Sequence, residues 1–186
     1  MAGLRIRLAA SLATAGLLSC AQPGPDLGLL GFVALVPWAL ANLGPAGKRA
    51  ALADYAGGLA FFALSTGWLA HVAFTAAAIV IPVSALSFVL SGWTLRRLAP
   101  RLPVSLALGL AWTLGEYARS ICPPGGFPMG LVGAGFYRFP TWIQVADLGG
   151  IFLASFLAAA VNGAVAGLLA PFLRLPRSRV PAVEGA

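Results

Sequence analysis

Apolar residues in this chain run on for stretches of roughly 17–25 positions, the length that crosses a hydrocarbon core of about 30 Å at 1.5 Å per residue. Six such runs can be drawn: Leu4–Ala21, Leu27–Leu43, Ala50–Ala70, Ala73–Leu95, Leu102–Ser120 and Ile143–Ala170. Clusters of helix breakers separate them, namely Gln22-Pro23-Gly24-Pro25-Asp26, Gly44-Pro45-Ala46-Gly47, Ala99-Pro100-Arg101-Leu102-Pro103 and Pro123-Pro124-Gly125-Gly126, which read as turns at a membrane surface. The third and fourth runs nearly merge at His71–Thr75. Pro37 and Pro82 fall inside runs, where lipid-embedded helices tolerate them better than soluble ones do. The pattern predicts an all-α, polytopic transmembrane helical bundle of about six helices over residues 1–172, then a short basic tail over 173–186.

Composition excludes the alternative of a soluble fold. Sixty per cent of the 186 residues are apolar and nine per cent charged, with a mean hydropathy of +0.91, whereas globular domains carry about a quarter charged residues. The few cations are placed asymmetrically. Arg5 and Arg7, Lys48 and Arg49, Arg96, Arg97 and Arg101, and Arg174, Arg177 and Arg179 all fall on one side of the predicted bundle, leaving Arg119 and Arg138 on the other. The positive-inside rule therefore places both termini in the cytoplasm. The net charge of +7 is read as loops facing anionic lipid, and no nucleic-acid partner is expected.

The first run carries Leu17-Leu18-Ser19-Cys20, which resembles the cleavage and acylation site of a lipoprotein signal. A lipid anchor would be redundant beside five further spans, so the run is read as a span. Cys20 and Cys122 both fall near the same predicted side; a bridge is conceivable there, and two unpaired thiols are the plainer reading. His71, without acids or cysteines nearby, makes no metal site.

Residues 121–141 are rich in glycine, proline and aromatics and are too apolar for a water-exposed loop. They lie in the headgroup region or re-enter shallowly among the helices, either as a belt that sets depth or as a gate for a lipid tail. On the fifth run Glu116 and Arg119 are three residues apart, on one helix face, and are expected to pair. An ionisable residue in a span is costly and signals function by default; here the alternatives are a structural ion pair and a phosphate contact.

Trp112, Glu116 and Arg119, then Gly126-Phe127-Pro128, then Gln144-Val145-Ala146-Asp147, Ser155-Phe156-Leu157 and Asn162 resemble the membrane part of apolipoprotein N-acyltransferase. Gly31-Phe32-Val33-Ala34-Leu35-Val36-Pro37-Trp38, with Gly58, Phe61, Phe62 and Trp68, fits the same family more loosely. Met129 stands where the family usually has Trp. The resemblance implies a bacterial inner-membrane location and a part in moving an acyl group from phospholipid to a diacylglyceryl-lipoprotein. It makes Glu116, Arg119, Phe127, Pro128 and Met129 the candidate substrate-binding residues, and implies no metal or cofactor. The family's Glu, Lys and Cys act in a carbon-nitrogen hydrolase domain that has no counterpart in these residues. Lys48, the one lysine, is predicted a bilayer away from both cysteines, so no catalytic residue is assigned and the chain alone is expected to be inactive. The expectation is a family member cut off before a seventh helix, or one whose hydrolase half is a separate subunit. A noncatalytic lipid-binding scaffold and a small permease are the alternatives.

The cation distribution fixes a topology that reporter fusions check. Fusions after Gly47, Pro100 and Ala186 should report cytoplasm and those near Gly24 and Gly126 periplasm; a periplasmic C-terminus would overturn the helix count.

Overall fold

In a computed structural model, which describes residues 3–44, 47–122 and 126–173, the described chain is helical with no strand. The α-helices are α1 (Leu4–Ala21), α2 (Val36–Asn42), α3 (Lys48–Thr66), α4 (Leu69–Val72), α5 (Phe74–Leu98), α6 (Val104–Ile121), α7 (Pro140–Ile143) and α8 (Ala146–Leu169). Short 3-10 turns cover Gly28–Phe32 and Val132–Phe136. Pro45, Ala46, Pro123, Pro124, Gly125 and the basic tail from Arg174 onward lie outside the described residues.

Three helices, α1, α5 and α8, are long and apolar enough to cross a membrane. The distribution of polarity is that of a protein dissolved in lipid. Leu148 is 86% exposed and Leu168 73%, while Asp54, Asn162 and Glu116 are at most 4% exposed, the reverse of a soluble surface.

Helices α1, α3, α5, α6 and α8 pack in that order, and α2 closes the ring between α8 and α1. One end of the bundle, the near end, holds the starts of α1, α3 and α6; the far end holds the connection from α6 to α8. Approach is close because glycines face neighbours. A β-carbon on Gly57 would sit 2.7 Å from that of Ser11 on α1, and one on Gly58 2.7 Å from the Ala85 carbonyl on α5, so α3 is held tightly on both sides. Ala159, Gly163 and Gly167 place their stripe against α6: a β-carbon on Gly163 would lie 2.7 Å from the Ser105 Cα.

The first, fourth and fifth runs appear as α1, α5 and α6 with boundaries close to those expected. The third ends at Thr66 and is followed by the separate turn α4, with Ala73 extended between α4 and α5. The second run is a correction, because Leu27–Leu43 is not one helix. It folds as a 3-10 turn and, from Val36, the seven-residue α2, with Pro37 in its first turn. The freed backbone groups are taken by side chains. The Asn162 carbonyl accepts the Leu35 N–H at 2.8 Å, its amide donates to the Gly31 carbonyl at 2.7 Å, and Thr14 Oγ1 accepts the Trp38 N–H at 3.2 Å. Irregular backbone persists at membrane depth only when satisfied in this way. The sixth run, Ile143–Ala170, appears as α8, kinked at Gly149 and Gly150 and preceded by the single turn α7.

Filling the α6–α8 contact should loosen the bundle. Gly163→Leu is expected to destabilise it by about 2 kcal/mol or more through overpacking, read as a lower melting temperature in detergent; an unchanged melting temperature would mean that the stripe does not face α6.

Candidate functional site

Two polar centres occupy the interior, one at each end. At the near end Asp54 of α3, 1% exposed, accepts the Trp38 indole N–H at 2.7 Å and the Asn42 amide at 3.0 Å on one oxygen, and an Arg96 N–H at 2.9 Å on the other. Asn42 also accepts from Arg96. The carboxylate thus ties α2 to α3 and α5, and Gly92 leaves room for it on α5. Sequence reasoning missed this centre, counting Arg96 among the loop cations. The signal was present: a lone carboxylate, Asp54, about one turn into an apolar run demands a partner.

The far-end centre is built around residues 126–133. Gly126 and Gly130 adopt left-handed backbone, φ +67° and +71°, which favours glycine and folds the segment back into the helices. Leu131, Val132 and Phe136 are consequently buried, so the segment re-enters rather than lying on the surface. Glu116 Oε1 accepts the Val132 N–H at 2.8 Å and the Trp112 indole N–H at 3.0 Å. Ser155 Oγ accepts the Gly133 N–H at 2.9 Å. From the other side Arg119 Nη1 donates to the Phe127 carbonyl and, at 2.6 Å, to that of Met129. Its guanidinium lies 4.9 Å from the centre of the Phe62 ring.

The expected Glu116–Arg119 pair is therefore corrected. Among the described residues the ion pairs are Arg96–Asp54 and Arg138–Asp26. The carboxylate and the guanidinium share a helix face, but each turns to the loop backbone, an acceptor for its N–H groups and a donor for its carbonyls. Both are buried, Glu116 4% and Arg119 7% exposed. Phe127 is half-buried and Pro128 and Met129 are exposed beside them, so the structure brings all five predicted residues to one place. Cys20 and Cys122 are both free thiols.

Next to Arg119 a groove of about 250 Å³ opens between α5 and α6, with apolar walls including Val83, Leu90 and Phe127. At the far-end rim Tyr137 donates to Asp26 at 2.5 Å and Arg138 pairs with the same carboxylate at 2.5 Å. The Asp26 carboxyl is held below its ordinary range, chiefly by the Tyr137 hydrogen bond and less by the Gly24 N–H and the Arg138 charge. This contribution is present at neutral pH and fades as acid protonates Asp26; solvent screening keeps it small.

These features define a class: a membrane-embedded helical bundle whose apolar far-end loop is pinned inside it by buried charges. Residues 14–164 match the apolipoprotein N-acyltransferase N-terminal domain family, and the chain belongs to that family. No curated protein matches the chain.

The near-end centre carries its own test. Asp54→Ala strands Arg96, and removing one member of a buried pair costs about 3–5 kcal/mol. Thermal unfolding in detergent should show a large loss for Asp54→Ala and a partial recovery when Arg96→Ala is added; equal losses would contradict the pairing.

Proposed function

We propose that this chain is the membrane domain of an apolipoprotein N-acyltransferase, holding phospholipid and diacylglyceryl-lipoprotein for acyl transfer in the bacterial inner membrane, with both termini cytoplasmic. The observation that carries the lipid site is Arg119, a buried cation facing an apolar groove with no carboxylate in ion-pairing reach among the described residues. A guanidinium so placed suits a lipid phosphate, to which it can offer two parallel hydrogen bonds. The groove beside it suits a hydrocarbon chain, and Phe127, Pro128 and Met129 form the surface over which that chain enters. Glu116 acts on the loop, fixing its backbone through Val132 so that Phe127 and Met129 stand at the mouth.

The acyl transfer itself falls to a carbon-nitrogen hydrolase partner, as a further domain or a separate subunit. A cysteine nucleophile needs a base within about 3 Å. Lys48 opens α3 at the near end, whereas Cys20 and Cys122 close α1 and α6 at the far end, separated by about 25 Å of helix.

Phospholipid retention and melting temperature, measured together, test the site. Arg119→Ala should lower retention several-fold with a smaller effect on stability, because the carbonyls it holds belong to half-buried Phe127 and exposed Met129. Glu116→Gln should do the opposite, and Met129→Trp should tighten retention. Loss of stability in Arg119→Ala with retention intact would end the lipid-site reading.

A further inference from the structure

Helix α5 sorts its side chains by direction. On its inward faces Gly92 leaves room for Asp54 of α3, and Ser91 lies against Gly115 of α6. On the outward side Val83, Leu86, Leu90, Trp93 and Arg97 recur at spacings of three and four, one stripe along the helix. Leu86 is 54% and Trp93 51% exposed, so the stripe faces hydrocarbon, and exposed Arg97 closes it at the near end.

The depth of that closure follows from length. Helix α5 has 25 residues, about 37 Å at 1.5 Å per residue, against a hydrocarbon core of about 30 Å. Its last turn therefore stands in the headgroup layer, and Trp93, one turn inside it, is at the depth where tryptophan collects. The Arg97 guanidinium lies 4.9 Å from the centre of the Trp93 ring, a cation–π distance. Arg101 folds back over the helix end and donates to the Arg97 carbonyl at 2.7 Å, which brings a second guanidinium to the same corner.

Neither cation has a carboxylate. Among the described residues the ion pairs lie elsewhere, and the one carboxylate at the near end, Asp54, is buried and held by Arg96. Stacking occupies the face of the Arg97 guanidinium and leaves its N–H edge open, and Arg101 commits one of its five N–H groups. Two like charges held together without an acid repel each other, so the missing partner is an anion. Below it Trp93, Leu90 and Leu86 continue as an apolar surface for a glycerol backbone and a hydrocarbon chain, which a soluble anion would not need.

We propose that Trp93, Arg97 and Arg101 form a site for the headgroup of an anionic phospholipid in the leaflet at the near end, separate from the far-end groove. Each arginine near an anionic headgroup is worth about fivefold in preference for it.

Native mass spectrometry of the full chain, offered equimolar phosphatidylglycerol and phosphatidylcholine with identical chains, reads this preference. The chain should retain phosphatidylglycerol over phosphatidylcholine, and Arg97→Gln and Arg101→Gln should each cut the ratio about fivefold. Both side chains are exposed, so the melting temperature should hold. Lys48→Gln with Arg49→Gln removes the same charge at the same end on α3 and should change the ratio less than twofold. Excess glycerol phosphate should displace none of the bound lipid, and the ratio should survive Arg119→Ala, which separates this site from the far-end reading. Equal retention of the two lipids, or an equal loss from the α3 pair, would mean a diffuse basic surface and overturn the site. Displacement by glycerol phosphate would overturn the lipid assignment, and loss of the preference in Arg119→Ala would place it at the far end.

Discussion

A chain dissolved in hydrocarbon has no water to complete its hydrogen bonds, and where this bundle leaves the helix beside its candidate site, side chains complete them instead. Two departures matter. Asn162 and Thr14 satisfy the break between the 3-10 turn at Gly28–Phe32 and α2. Glu116, Arg119 and Ser155 satisfy the re-entrant segment from Phe127 to Gly133. Without Asn162 at the first break, and Glu116 and Ser155 at the second, these segments would have to become helix or leave the membrane.

The two departures are coupled in space. The 3-10 turns at Gly28–Phe32 and Val132–Phe136 lie against each other, with Gly28 directed at the Gly135 carbonyl and Gly135 at the Ala21 carbonyl. Phe32, Phe136 and Trp142 stack around them with ring centres 4.6–5.3 Å apart. The broken second run thus makes the bed in which the re-entrant loop lies, and the loop in turn forms the mouth of the α5–α6 groove. Asp54 holds the other end of α2 in register with α3 and α5. Charge inside and hydrocarbon outside is the arrangement by which a small bundle positions an apolar loop.

Much of the fold was legible because long apolar runs have one stable answer in lipid, and α1 runs from Leu4 to Ala21 as its apolarity requires. The break in Leu27–Leu43 was not, since apolarity reports burial in lipid but says nothing of Asn162, 127 residues from Leu35, whose amide makes a helix unnecessary. At the site the residue types were legible and their partners were not. A spacing of three brings Glu116 and Arg119 to one face, but the loop backbone, invisible in a linear reading, competes for both and wins. Asp54 escaped notice because its partners lie outside its own run, Trp38 and Asn42 in the second and Arg96 just past the end of the fourth. The groove could not be read at all, because it exists where α5 and α6 part beyond Gly115, a matter of tertiary packing.

Hydrogen exchange at single amides, measured on the chain in lipid nanodiscs, tests the central claim most directly. Leu35, Val132 and Gly133 lie at irregular backbone and donate to Asn162, Glu116 and Ser155 respectively. The account predicts that these three amides exchange as slowly as those in the middle of α6 and α8, and that Asn162→Leu releases Leu35 while Val132 stays protected. Exchange of Val132 and Gly133 at the rate of an open loop would contradict it, for the re-entrant segment would then not be pinned where the candidate site requires.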